Sequence, residues 1–265
     1  MSTRWARRRQ LFVIGILAGI FLAGVFVVYI RYFTPEPTCF DGKQNQEELG
    51  VDCGGPCERL CPFQTRPIVA LWSRALPVTD TTYHLVAYVE NPNAGARTER
   101  LQYRFRAYDA DNVILGERTG ETFIAPLERT AIFVPYLEVA DRKPARVFFD
   151  VVNQPVWHTT ESVYTLPRIG ITRQVANETG GSVRVSAQVR NNYPFTIHDV
   201  EFVALVYGRD ENALLASQTI LDRFERDEVR DIVFTWPRQL DESIGRIEII
   251  PRVDIREIRA LYRSL

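Results

Sequence analysis

The four cysteines of the chain, Cys39, Cys53, Cys57 and Cys61, fall in one short stretch, CFDGKQNQEELGVDCGGPCERLC. Four thiols this close can hold a tetrahedral zinc ion or close two disulfides. Zinc sites usually present two tight C-x-x-C pairs, whereas here one cysteine stands far upstream and three follow at even spacing. Together with the extracytoplasmic location argued below, the spacing points to two disulfides stapling a loop-rich element too small to fold on a core of its own, with the pairing left open. The same loop carries Asp41, Asn45, Glu48 and Asp52, with Gly42 and Gly50 available for tight turns. Oxygen ligands at such intervals can bind calcium, though the spacing is not that of an EF-hand. The same side chains can also cap turns by bonding the backbone, and both readings stand.

Elsewhere the chemistry is thin. The three histidines, His84, His158 and His198, sit in no H-E-x-x-H and near no cysteine. G-x-S-x-G, the P-loop and the dinucleotide fingerprint are missing. His84 is expected on the polar face of a strand and His198 in a loop after Pro194, both solvated. The acidic run Asp222-Arg-Phe-Glu-Arg-Asp-Glu228 alternates with basic residues and reads as a solvated face with local ion pairs. No catalytic residue is assigned, and the chain is expected not to be an enzyme.

The elements that would position the cysteine loop begin with residues 11–30, LFVIGILAGIFLAGVFVVYI, which run without charge or proline. As a helix this run rises ~30 Å, the thickness of a hydrocarbon core. Arg4, Arg7, Arg8 and Arg9 precede it and only Arg31 follows closely. That asymmetry places the N-terminus in the cytoplasm and the bulk of the chain outside. The run ends VVYIRYF with no small-x-small cleavage site, which favours an uncleaved anchor over a signal peptide. Gly15-x-x-x-Gly19 has the spacing that lets two helices approach, so a homodimer through the span is a further expectation. Apart from its N-terminal arginines the chain is mildly acidic, about −6 without the five that flank the run, and offers no basic footprint for nucleic acid.

At residues 39–61 the pattern Cys39-x-Asp41-Gly42-x-x-Asn45-x-x-Glu48-x-x-x-Asp52-Cys53-Gly54-Gly55-x-Cys57 resembles a short cysteine-rich repeat of bacterial cell-surface and secreted proteins. The resemblance implies a bacterial exported protein and no particular activity.

Beyond Pro62 the chain echoes itself at an offset near one hundred. Tyr83, Leu85, Ala87 and Val89 alternate into Asn91 as Val183, Val185, Ala187 and Val189 do into Asn191. Leu101, Tyr103, Phe105 and Ala107 match Val200, Phe202, Ala204 and Val206 in the same way. Strict period two predicts half-buried strands, and the echo predicts one β unit present twice. Short strands with turn signals between them suit immunoglobulin-like sandwiches without the inter-sheet disulfide. VAYVENPN…YRFRAYDADN and SAQVRNNY…VALVYGRDEN resemble the FxLYD and LEA-like sandwich families. That resemblance implies the fold and a non-enzymatic role.

The expected plan is an all-β protein: a cytoplasmic tail (1–10), a transmembrane helix (11–32), a Cys-rich stalk (33–66), a first β-sandwich (67–152), a linker (153–166), a second sandwich (167–257) and a C-terminal tail (258–265). Its expected role is a membrane-anchored structural or interaction protein of the bacterial cell envelope with a protein partner. The alternative is an adhesin or carbohydrate- or cell-wall-binding module, for which exposed aromatics such as Tyr88, Tyr108 and Tyr193 would have to cluster. Trp157, in the linker, is expected to pack.

Overall fold

The computed structural model describes residues 3–33, 37–160, 169–240 and 242–263. Helix α1 runs Thr3–Phe33. Within it Arg9–Tyr32, 24 residues of mean hydropathy 2.9, has none of its residues buried and is long and apolar enough to cross a membrane. By contact density the chain divides into two compact units, Met1–Cys57 and Glu58–Leu265.

The second unit opens with a 3-10 turn at Pro62–Gln64. Seven strands follow: β1 (Val69–Pro77), β2 (Thr82–Glu90), β3 (Ala96–Tyr108), β4 (Ile114–Ile124), β5 (Arg129–Glu138), β6 (Arg146–Val151) and the short β7 (His158–Thr159). They make two antiparallel sheets, ordered β1-β2-β5 and β4-β3-β6, with β7 added to the start of β3. Between the sheets lie Leu85, Ala87, Val89, Leu101, Phe105, Ile124 and Ile132, all essentially without solvent contact. Those on β2 and β3 are the period-two residues of the sequence.

Six more strands repeat this connectivity: β8 (Ile169–Thr179), β9 (Ser182–Asn191), β10 (Ile197–Gly208), β11 (Ala213–Phe224), β12 (Val229–Trp236) and β13 (Ile244–Arg252). Their sheets are ordered β12-β9-β8 and β11-β10-β13. Val183, Val185, Val189, Phe202, Ala204, Phe224 and Phe234 fill the space between. Residues 258–265, expected as a tail, instead begin inside helix α2 (Ile255–Arg263), which sets Ile258 into this core.

Each sandwich is closed by a wholly buried asparagine at the end of its second strand. Asn91 Nδ2 donates to the carbonyls of Ala96 and Ala125 at 2.8 and 2.7 Å, and its Oδ1 accepts from Asn93 N at 3.0 Å. Asn191 Nδ2 donates to the carbonyls of Phe195, Phe224 and Glu225 at 3.0 Å each, and its Oδ1 accepts from Tyr193 N at 2.9 Å. In each case the asparagine's own N–H meets the carbonyl of a glutamate opening the fifth strand, Glu128 or Glu228. Those glutamates in turn cap the preceding turns through Ala125 N and Glu225 N. Buried carbonyls with no water need such donors. The Asn-ending strands legible in the sequence are therefore locks between the two sheets.

The two sandwiches do not hang as separate beads. Leu76, Val86 and Ala131 of sheet β1-β2-β5 pack directly on Val203, Leu205, Tyr207, Ala213, Ala216 and Ile250 of sheet β11-β10-β13. Trp72, Tyr88 and Phe133 lie at the margin of this seam. Glu248 binds it by accepting from Tyr88 Oη at 2.7 Å and Tyr207 Oη at 3.1 Å. Arg252, only 5% exposed, crosses it to Thr122 Oγ1 at 2.6 Å and the Phe123 carbonyl at 3.1 Å while pairing with Glu201 at 3.1 Å. Residues 83–87 of β2 and 202–207 of β10 are thus covered on both faces. His84, expected in solvent, is 7% exposed, packed against Phe133 and Tyr136 of the neighbouring strand β5.

The expected linker is also partly built into the first sandwich. Trp157 is 4% exposed, its carbonyl accepts from Leu60 N at 2.9 Å, and β7 pairs with Ala96 and Arg97. The buried Arg97 guanidinium donates to the Thr159 carbonyl at 2.6 Å and meets Glu58 and Glu99 at 2.8 and 2.9 Å. Residues 161–166 of that linker, and 167–168 of the expected second sandwich, lie outside the described residues.

The locks give a direct test. Asn91→Asp and Asn191→Asp keep the acceptor but aim a carboxylate at backbone carbonyls in a dry site. Each is expected to cost about 2–4 kcal/mol in urea unfolding, the scale of a buried unsatisfied group plus repulsion. A change under about 0.5 kcal/mol, the ordinary surface value, would show that the locks contribute nothing.

Candidate functional site

The cysteine loop is the densest set of chemistry-bearing residues in the sequence. Within it Cys39 and Cys57 are joined, with Cα atoms 5.6 Å apart. Cys53 and Cys61 are disulfide-bonded as well, and no described cysteine is free. Thiolates for zinc are therefore absent among the described residues. Gln46, Glu47 and Asp52 adopt positive φ, as do Gly42, Gly54 and Gly55. A Cβ on Gly55 would stand 2.3 Å from the Glu47 carbonyl, so only glycine fits there.

The four oxygen-bearing residues are spent on this tight backbone. Asp41 accepts from Asn45 Nδ2 at 2.8 Å and from Lys43 N at 2.9 Å, and the Asn45 bond above all holds its carboxyl below the usual range. Both Asp52 oxygens accept from Gly42 N at 3.1 Å. Glu48, 5% exposed, accepts from Asn45 N and Asp52 N at 3.3 Å, and its other oxygen lies 3.1 Å from Cys57 Sγ. That sulfur is oxidised and carries no proton, so the contact is not a hydrogen bond to a carboxylate. Among the described residues the one trio of His, Cys, Asp or Glu ligand atoms close enough to share an ion is Cys39, Glu48 and Cys57, and the disulfide occupies both sulfurs. Turn capping is what these carboxylates do in this geometry. Among the described polar side-chain atoms of this loop, Asn45 Oδ1 is buried without a partner.

The arginines that set the expected topology, Arg4, Arg7, Arg8 and Arg9, occupy the first turns of α1, with Arg7 and Arg9 exposed. A Cβ on Gly15 or Gly19 would touch nothing within 4 Å, so neither glycine is needed for packing within the chain.

The histidines assemble no site. His84 lies between Phe133 and Tyr136, ring centroids 4.7 and 5.3 Å away, and its Nδ1 accepts from Tyr136 N at 3.3 Å. Burial pushes its pKa down to about 4, and the accepting Nδ1 requires a neutral ring. His198, expected in a loop, lies on β10, half exposed, 3.1 Å from Glu257. His158 is the start of β7.

The aromatics expected of a glycan-binding face are dispersed. Tyr193 is 5% exposed. Tyr88 stacks on Trp72 at the seam, its hydroxyl pKa raised by burial and by Glu248. Tyr207 beside it is pushed up to about 12 by the same causes. Tyr108 keeps one aromatic neighbour, Phe148, at 5.7 Å. Sequence reasoning missed Glu248, Arg252 and Arg97, the charged residues that hold the seam and the β7 addition. The available signal was the unbroken apolar run FVALVY at 202–207, a pattern of strands buried on both faces.

His84 yields a pH test. Its folded pKa lies below the ordinary 6.5, so the unfolded chain takes up the proton first, and the stability held above pH 6.5 is lost as pH falls toward about 4. The melting temperature of the wild type is expected to drop more steeply over that window than that of His84→Gln. Parallel curves would mean that His84 titrates normally.

No protein-family model matches the chain, and no curated protein does. Among solved structures the chain is similar to red sea bream transglutaminase at 11% identity and a TM-score of 0.24, over 72% of this chain and 30% of that one. It is also similar to Bacteroides uniformis β-glucuronidase 2 covalently bound to cyclophellitol-6-carboxylate aziridine, at 14% identity and a TM-score of 0.25, over 67% of this chain and 25% of that one. The chain spans under a third of either protein, and likenesses this slight say nothing of activity or ligand.

Proposed function

We propose that the chain is a single-pass membrane protein with a cytoplasmic N-terminus, and that it presents a non-catalytic, two-sandwich body outside the membrane to bind another protein of a bacterial cell envelope. The observation that carries this reading is the succession of two features: an apolar helix with no buried residue, then a segment whose cysteines are all oxidised. Disulfides persist in oxidising compartments and are rare in the cytosol, so they support an extracytoplasmic body independently of the arginine asymmetry. A body locked by buried asparagines and a dry seam suits a rigid support, because presenting a surface needs no moving part.

In cells carrying the full chain with an epitope at each end, an impermeant protease is expected to remove the C-terminal epitope and spare the N-terminal one. Maleimide is expected to label no cysteine before reduction. Protection of the C-terminal epitope together with labelling of the cysteines would place the body in the cytoplasm and end this reading.

A further inference from the structure

The seam between the sandwiches opens at one edge into a cleft of about 610 Å³. Leu76, Leu214 and Leu240 supply apolar lining, and Arg74, Arg146 and Arg238 supply charge, against Glu242 as the one acidic lining residue. Most arginines of this unit sit within 4 Å of a carboxylate, as Arg97, Arg106, Arg246 and Arg252 do. Among the described residues, the three at the cleft have no carboxylate that close. Arg74 donates to Asn212 Oδ1 at 2.7 Å, Arg146 to Asn112 Oδ1, and Arg238 reaches the Gln239 carbonyl at 3.5 Å. Asp210 acts on Arg74 electrostatically without pairing with it, and amide partners position a guanidinium without neutralising it, so its fork stays able to take a carboxylate in bidentate fashion.

The backbone of the cleft is equally unfinished. β1, β6 and β11, which all contribute lining residues, are edge strands, each paired on one side only. Ser73 Oγ, donating to the Val147 carbonyl at 2.7 Å, ties β1 to β6 across the cleft. Edge strands offer a row of backbone donors and acceptors to another extended chain.

We infer that this cleft binds an extended segment of a partner protein in which carboxylates alternate with apolar side chains. The carboxylates would meet Arg74, Arg146 and Arg238, the apolar side chains would fill the leucine-lined part, and the backbone would run along an edge strand. The inference deepens the interaction role proposed above by giving it a surface. A measurement on purified protein judges it apart from membrane topology, since anchoring could fail and the cleft still bind.

The probe is a fluorescein-labelled (Glu-Val)4 peptide, with (Lys-Val)4 as control, titrated by anisotropy against the full chain in detergent. The glutamate peptide is expected to bind and the lysine peptide not to. Arg146→Gln and Arg238→Gln, on side chains that are at least partly exposed, are each expected to weaken binding about tenfold with an unchanged melting temperature, the loss of one charge-assisted contact. Arg184→Gln, on the far sheet, is expected to leave binding unchanged. Equal binding of the two peptides, or equal effects of all three substitutions, would overturn the assignment.

Discussion

The burial of one sandwich's sheet against the other's is the interaction on which the rest of the body depends. A lone sandwich buries one face of each sheet and leaves the other wet. Here the central parts of β2 and β10 are dry on both sides, and residues such as Val86, Val203 and Leu205 have no solvent contact. Each side chain of that size removed from water stabilises by roughly 1.5–3 kcal/mol relative to exposure. The polar groups brought into the seam find partners in the same act, Glu248 in two tyrosine hydroxyls and the terminal nitrogens of Arg252 in Glu201, Thr122 and Phe123. Without those partners the buried charges would oppose the contact they now support.

The seam joins unlike sheets: β1-β2-β5 of the first sandwich meets β11-β10-β13 of the second, whose counterpart in the first is β4-β3-β6. Such a head-to-tail contact leaves the complementary faces free at the two ends of the stack, and nothing in its geometry stops it from continuing. Side-chain chemistry stops it. Where β10 presents Val203 and Leu205 to the seam, β3 presents Arg104 and Arg106 at the corresponding places, tied to Asp150. Where β2 presents His84 and Val86, β9 presents Arg184 and Ser186 outward. Polar outer faces close the array at two units, as terminal repeats do in longer solenoids.

Much of this was legible. The apolar run, the clustered cysteines and the period-two strands each correspond to an element, because each depends on local spacing. What escaped was whatever depends on a second layer. Alternation in YHLVAYVE reads as one wet face only if nothing covers it, and the sequence around His84 does not announce the sheet that does. Trp157 and the β7 residues read as linker because a two-residue strand has no period to detect. The turn after β10 shows the same limit: Gly208 stands where the first sandwich has Asp109, and the capping role passes to Asp210, whose Oδ1 accepts from Asn212 N at 3.0 Å. A side chain at 208 would crowd Asp210 Oδ1 at 2.9 Å, so the aspartate is displaced rather than lost. At the cysteine loop the pattern gave the residues but not their partners, since a carboxylate near a turn looks alike whether it will face a cation or an amide.

The packing of the two sandwiches on each other and the buried polar locking within each of them both bear on the seam. Differential scanning calorimetry of the full chain in detergent tests it most directly. One transition whose calorimetric and van't Hoff enthalpies agree is the predicted result, with Val203→Arg lowering the melting of both sandwiches together. Two resolved transitions, with Val203→Arg shifting one and leaving the other in place, would show that the sandwiches fold independently and contradict the account.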